Sequence, residues 1–141
     1  MAIAADFPDE LHYHVEHQTW ARLHDDGTAT VGITALGLLQ AGELYMCRPR
    51  PVGTVVAAGR SVAVVELAKA IVSVRSPVGG TIVEINPQVS AVPDLINRAP
   101  YGDGWLARLR LDDFAADRET LVHGDGVAAA MQAFAQREGL A

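Results

Sequence analysis

Ser61-Val62-Ala63-Val64-Val65-Glu66-Leu67-Ala68-Lys69-Ala70-Ile71-Val72-Ser73-Val74 is an almost wholly apolar run interrupted in the middle by one cation, Lys69. An isolated ammonium inside such a run must reach water or be paired, because burying it alone costs roughly several kcal/mol. The least costly geometry is a tight reversal between two strands, 61–66 and 70–74, with Ala68 and Lys69 at the tip. Ala68 and Ala70 are small and leave the amine unobstructed. The run lacks the Asn-Gly or Asp-Gly pair of the commonest hairpins, so on physics alone a merely solvated lysine competes with a functional one.

Composition sharpens the contrast. Of eleven basic residues ten are arginine, and Lys69 is the sole lysine. Lysine scarcity by itself carries no function, since a high Arg and Ala content also follows from genome composition. Arginine, however, keeps the charge and does not readily form an amide, so lysine held at this one position points to a need for an acylatable amine.

Moving outward, short β-rich pieces separated by glycine surround the tip. They are the region from Val52-Gly53-Thr54-Val55 to Gly59, and Pro77-Val78-Gly79-Gly80-Thr81-Ile82-Val83-Glu84-Ile85-Asn86. The first echoes part of the second, and the two flank Lys69 at comparable distances, as an approximate two-fold arrangement with Lys69 at its apex would require. Upstream, Asp25-Asp26-Gly27 followed by the alternating run 28–34 predicts a hairpin. A short helix over 35–40 ending near Gly42 and a strand over 43–47 follow, with Pro49 and Pro51 breaking any regular element. A closing strand is expected over 105–111 and an alanine-rich C-terminal helix over about 127–137. The first ten residues read as a lead-in and 11–141 as one domain, mainly β, of sandwich or small-barrel type.

Several function classes are excluded. Cys47 is the only cysteine, so neither an internal disulfide nor a CxxC redox motif can be built, and any redox chemistry must come from an added group. The net charge of −6 argues against tight binding to nucleic acid or anionic lipid and suggests basic surfaces on partner proteins. The longest apolar runs fall well short of a membrane span, so a soluble, cytoplasmic chain is expected. His12, His14 and His17 invite a metal reading, but no carboxylate or cysteine is spaced to complete a set, and ordinary surface histidines are expected. Asp103 reads as a turn residue, and Trp20 and Trp105 as core.

From about Leu11 to Arg110 the chain resembles the lipoyl carriers typified by the H protein of the glycine cleavage system. The resemblance is carried by His17-Gln18-Thr19-Trp20-Ala21-Arg22, by the run 26–34, by Val65-Glu66-Leu67-Ala68-Lys69-Ala70, by 76–86, and by Asn97-Arg98-Ala99-Pro100-Tyr101-Gly102-Asp103-Gly104-Trp105. Lipoyl domains carry a Glu three residues before the modified lysine and glycines sixteen before and eleven after it. Glu66, Gly53 and Gly80 occupy those places here.

The resemblance implies a lipoyl-domain barrel-sandwich hybrid with short helices, lipoate in amide linkage to Lys69, and a non-catalytic carrier whose arm shuttles covalently bound intermediates. Glu66, Gly53 and Gly80 then serve recognition and hairpin context. The implied partners are a lipoate-protein ligase or lipoyl transferase and a dihydrolipoamide dehydrogenase-like enzyme, with the carrier itself a monomer.

Departures bear on the pathway. Where glycine-cleavage members usually read Glu-Ser-Val-Lys-Ala, this chain has Leu67 and Ala68. Where they carry an acidic stretch, it has Arg48-Pro49-Arg50-Pro51. With the start Phe7-Pro8-Asp9-Glu10-Leu11-His12-Tyr13, this pattern looks more like the lipoate-binding proteins of heterodisulfide-reductase-like sulfur oxidation. That resemblance implies sulfur intermediates and a heterodisulfide-reductase-like complex as partner. The alternatives are an aminomethyl carrier working with the glycine cleavage P and T proteins, and an unmodified interaction module. A biotin carrier would show Met-Lys-Met where Ala68 and Ala70 stand.

Overall fold

The structure, a computed structural model, describes residues 5–141, so the first four residues of the expected lead-in lie outside the described residues. Among the described residues nine strands form two sheets. The larger has the order β1 (His12–His14), β2 (Thr19–Leu23), β3 (Thr28–Ile33), β9 (Ala107–Leu111), β8 (Gly80–Ile85), β5 (Val55–Val56). The smaller has the order β4 (Met46–Pro49), β6 (Ser61–Glu66), β7 (Ile71–Arg75). All pairings are antiparallel.

Alternation decides which face is buried. Val31, Ile82 and Leu109 of the large sheet meet Cys47, Val62, Val65 and Val74 of the small one in a single core. A second cluster, Leu11, Tyr13, Trp20 and Leu36, is covered by α5 (Val127–Arg137) through Val127, Met131, Phe134 and Ala135. Those four positions recur at helical spacing, so one stripe of α5 faces the sheet. Full burial of each large side chain contributes roughly 1.5–3 kcal/mol. Trp20 is core as its sequence context predicts, and half-buried Trp105 packs against the same cluster.

The β2–β3 reversal follows from Asp26, whose carboxylate accepts from the Thr28 N–H at 3.1 Å and the Thr28 hydroxyl at 2.6 Å. The helix α1 (Ala35–Ala41) begins where the Thr34 hydroxyl accepts from the Gly37 N–H at 2.9 Å, and ends at Gly42.

Three expectations need correction. The fourth strand lies over Met46–Pro49 instead of 43–47, and Pro49 is inside it. This edge strand tolerates proline because Arg50 donates to the Val62 carbonyl at 3.0 Å, which leaves Pro49, opposite Ala63, at a position needing no donor toward β6. The piece after Val52 is mostly turn, with only Val55–Val56 paired. Two short helices absent from the sequence reading, α2 (Pro87–Ala91) and α3 (Asp94–Arg98), follow β8. The helix α4 (Phe114–Asp117) leads toward α5.

Candidate functional site

The hairpin β6–β7 presents Lys69. Val65 faces Val72 and Glu66 faces Ile71 across the pair, with an irregularity between Ser61 and Ala63. The Leu67 N–H donates to the Ala70 carbonyl at 2.7 Å and closes the turn. Ala68, Lys69 and Ala70 are exposed, and among the described residues no carboxylate lies within ion-pair distance of Lys69. The reversal forms without special turn residues because inward-facing Val65 and half-buried Leu67 pack while the cation stays in water.

Glu66 is exposed at the end of β6, where its carbonyl accepts from the Tyr45 N–H at 2.9 Å. Gly53 and Gly80 do not touch Lys69; they sit at the base. Gly53 has φ of 94°, a conformation that favours glycine. A Cβ at Gly80 would collide with the Arg110 carbonyl oxygen, so β8 can approach β9 there only as glycine. The echoing segments pair with each other: Val55 faces Thr81 and Val56 faces Gly80. This pairing and the β6–β7 pairing share a centre at Ala68 and Lys69, which is why the repeat flanks the lysine symmetrically.

A groove of about 300 Å³ opens against the hairpin, lined by Leu67, Val72 and Val74 on one side and by Leu38, Leu44 and Ile33 on the other. Its polar side chains are His17, Gln18, Thr19, Gln40 and Ser73, and no carboxylate lines it. The Thr19 hydroxyl is buried with no hydrogen-bond partner among the described residues. An apolar trough against the hairpin that carries an exposed amine fits a long aliphatic chain, which is the chemistry of an amide-linked lipoyl group.

The histidines do not form one site. His14 stacks on His17 at 4.1 Å, and His12 stacks on His123 at 4.0 Å with Phe114 edge-on at 5.1 Å. His12 is buried, which corrects the surface reading: on β1 its ring faces the interior side shared with Phe114. Burial, then the nearby His123 and Arg118, lowers its pKa to about 4. Burial also lowers His14 and His17, helped respectively by His17 and Arg75. Among the described residues no three His, Cys, Asp or Glu side chains come together as a metal set. Burial pushes the Cys47 thiol up to about 12. No helix among the described residues is long and apolar enough to cross a membrane.

Sequence reasoning missed the groove. Its walls come from β2, β3, α1, β6 and β7, which no local pattern brings together.

The family described as Glycine cleavage H-protein matches residues 11–134. Among similar proteins, the glycine cleavage system H protein 2 of Aquifex aeolicus is 37% identical over 131 residues, covering 93% of this chain and 81% of its own length. A Coxiella burnetii glycine cleavage system H protein is 42% identical over 122 residues, covering 86% of this chain and 92% of its own. The crystal structure of a glycine cleavage system H protein from Mycobacterium marinum superposes with a TM-score of 0.73 at 27% identity, covering 95% of this chain and all of that one.

Proposed function

Because the chain belongs to the glycine cleavage H-protein family, whose members are non-catalytic carriers with lipoate on a lysine, we propose that Lys69 is its lipoyl-bearing residue. One observation carries this reading: the only lysine in the sequence stands exposed and unpaired at the tip of a hairpin anchored in both sheets. When bound, the lipoyl group supplies a dithiolane that can be acylated, alkylated, reduced or reoxidised. The chain's own residues do the rest. Lys69 contributes the amine, Glu66 stands three residues before it on the exposed strand end where a ligase meets it, and Gly53 and Gly80 hold the base of the hairpin. Leu67, Val72 and Thr19 offer the groove in which the linker can lie out of water.

The cargo reading best supported by the relatives is the aminomethyl group, with P and T proteins and a dihydrolipoamide dehydrogenase-like enzyme as partners in the cytoplasm. Tethering the cargo to Lys69 raises its effective concentration at each partner's site. A second reading, sulfur cargo with a heterodisulfide-reductase-like partner, draws on a specific observation. The groove has no carboxylate to pair with a cationic aminomethyl substituent, and Leu67, Ala68, Arg48 and Arg50 depart from the usual glycine-cleavage pattern.

Incubation with lipoate-protein ligase, ATP and lipoate should add one lipoyl mass to the wild type and none to Lys69→Arg; an unchanged wild-type mass would defeat the assignment. The lipoylated protein should then support glycine decarboxylation with P and T proteins. Failure at that second step alone would transfer the cargo assignment to the sulfur reading.

A further inference from the structure

Residues 44–83 hold four arginines, Arg48, Arg50, Arg60 and Arg75, together with Lys69, against the single carboxylate of Glu66, in a chain of net charge −6. The negative balance is therefore carried by the rest of the molecule, and the part that presents Lys69 is its cationic part.

The fold gathers these arginines. Alternation turns Cys47 and Pro49 inward and leaves Arg48 and Arg50 exposed along one side of β6, while Val74 points inward and Arg75, opposite Ser61, is exposed on the other side. Arg50 Nε donates to the Ser61 carbonyl at 3.1 Å, and Arg75 Nη1 to the Gly59 carbonyl at 3.1 Å, so both guanidiniums are tethered to main chain and not to acids. Arg50, Arg60 and Arg75 line one shallow concavity of about 490 Å³. Arg22, Arg98, Arg108 and Arg137 each have a carboxylate at ion-pair distance, whereas among the described residues Arg48, Arg50, Arg60 and Arg75 have none, as is also true of Arg110 and Arg118. Acids are plentiful, seventeen in all, yet only Glu66 falls within 44–83, with Glu43 and Glu84 at its borders.

We propose that the face formed by Arg48, Arg50, Arg60 and Arg75 docks an acidic protein surface, and that enzymes acting on Lys69 align with the hairpin tip through it. Charge complementarity selects the partner. Ile71 and Arg75 lie four residues apart on β7, about 13 Å along a strand, so a footprint of about 800 Å² covers both the arginines and the tip. An extended polyanion or a flat anionic membrane would also meet the strongly negative remainder of the chain, while a compact acidic patch meets only this face. The sequence-level expectation of basic partners is thereby reversed for the arm-bearing side. Access to Lys69 rests on the carrier reading; the sign of the surface does not.

The test has two arms. In the first, the unmodified full chain is titrated at low salt with a short capped glutamate oligomer no longer than the arginine face and followed by amide NMR. Saturable shifts should map to β4, β6 and β7, and Arg48→Gln/Arg50→Gln/Arg75→Gln should weaken binding about tenfold with an unchanged circular dichroism spectrum. No saturable binding, shifts elsewhere, or an unaffected variant would overturn the proposal. So would equal binding of oligothymidylate or phosphatidylglycerol vesicles at the same residues, or burial of those residues in a homodimer.

In the second arm, kcat/KM of lipoate-protein ligase on the unmodified protein, and of dihydrolipoamide dehydrogenase on the lipoylated protein, should fall with ionic strength. At least one should fall about tenfold through KM in the triple variant, with turnover of free lipoamide unaffected. Indifference of both enzymes overturns docking beside the arm. A wild type that cannot be lipoylated defeats the carrier reading instead, and the peptide titration then judges the surface alone.

Discussion

Gly53 and Ile82 are joined main chain to main chain: the Gly53 N–H donates to the Ile82 carbonyl at 2.8 Å, and the Ile82 N–H donates to the Thr54 carbonyl at 2.9 Å. The strands so linked, β5 and β8, belong to the large sheet, while β6 and β7 between them belong to the small one. The tip carrying Lys69 is thus braced from both sheets although it is itself exposed.

The two glycines at that base should differ in cost when substituted. Gly80→Ala sets a Cβ against the Arg110 main chain, which cannot yield locally, and is expected to destabilise by roughly 2–4 kcal/mol. Gly53→Ala has open space and pays only for its backbone conformation, about 1–2 kcal/mol. Urea unfolding of both variants checks the order, and equal losses would contradict the close approach of β8 to β9.

Changes at the tip should separate fold from modification. Lys69→Arg and Glu66→Gln alter exposed side chains and are expected to shift stability by no more than about 0.5 kcal/mol. Lys69→Arg should accept no lipoate, while Glu66→Gln should accept it several-fold more slowly. Thermal unfolding and time-resolved intact mass measure both effects; a Glu66→Gln protein lipoylated at the wild-type rate would remove that residue from ligase recognition.

Much of this was legible before any coordinates. The cation inside the apolar run 61–74 demands a reversal, the alanine-rich stretch 127–137 without glycine or proline favours a helix, and both are where the residues put them. The helices α2 and α3 were not read, because five-residue helices are too short to show a period. The available signal was local: Asn86 before Pro87, with the Asn86 side chain accepting from the Gln88 N–H at 3.1 Å. His12 was misjudged for a different reason. Its partners His123 and Phe114 are more than a hundred residues away, and nothing in the pattern of β1 marks the ring as enclosed.

That enclosure gives stability a pH dependence. Unfolded His12 titrates near 6.5 and the folded side chain at about 4, so the unfolded chain binds the proton first as pH falls. The contribution of neutral His12 is complete above about pH 6.5 and is lost progressively down to about pH 4, on the order of 3 kcal/mol. His12→Phe should flatten the fall in melting temperature across this window. Parallel curves for variant and wild type would show that His12 does not set it.

The thiol of Cys47 should be inert. It is 2% exposed, and its pKa is raised to about 12 by burial. Ellman's reagent at pH 8 should label it only in denaturant, at a rate matching global unfolding. Rapid labelling of the native chain would mean that β4 opens locally from β6.

The strand order β3-β9-β8 places the last strand of the chain in the interior of the large sheet. A polypeptide ending before Ala107 would leave β3 and β8 with open edges and Leu109 missing from between the layers. During synthesis, Lys69 leaves the ribosome well before that gap is filled. Assembly of the scaffold therefore behaves as a length check, since only a product that extends through β9 can offer its amine on a finished platform.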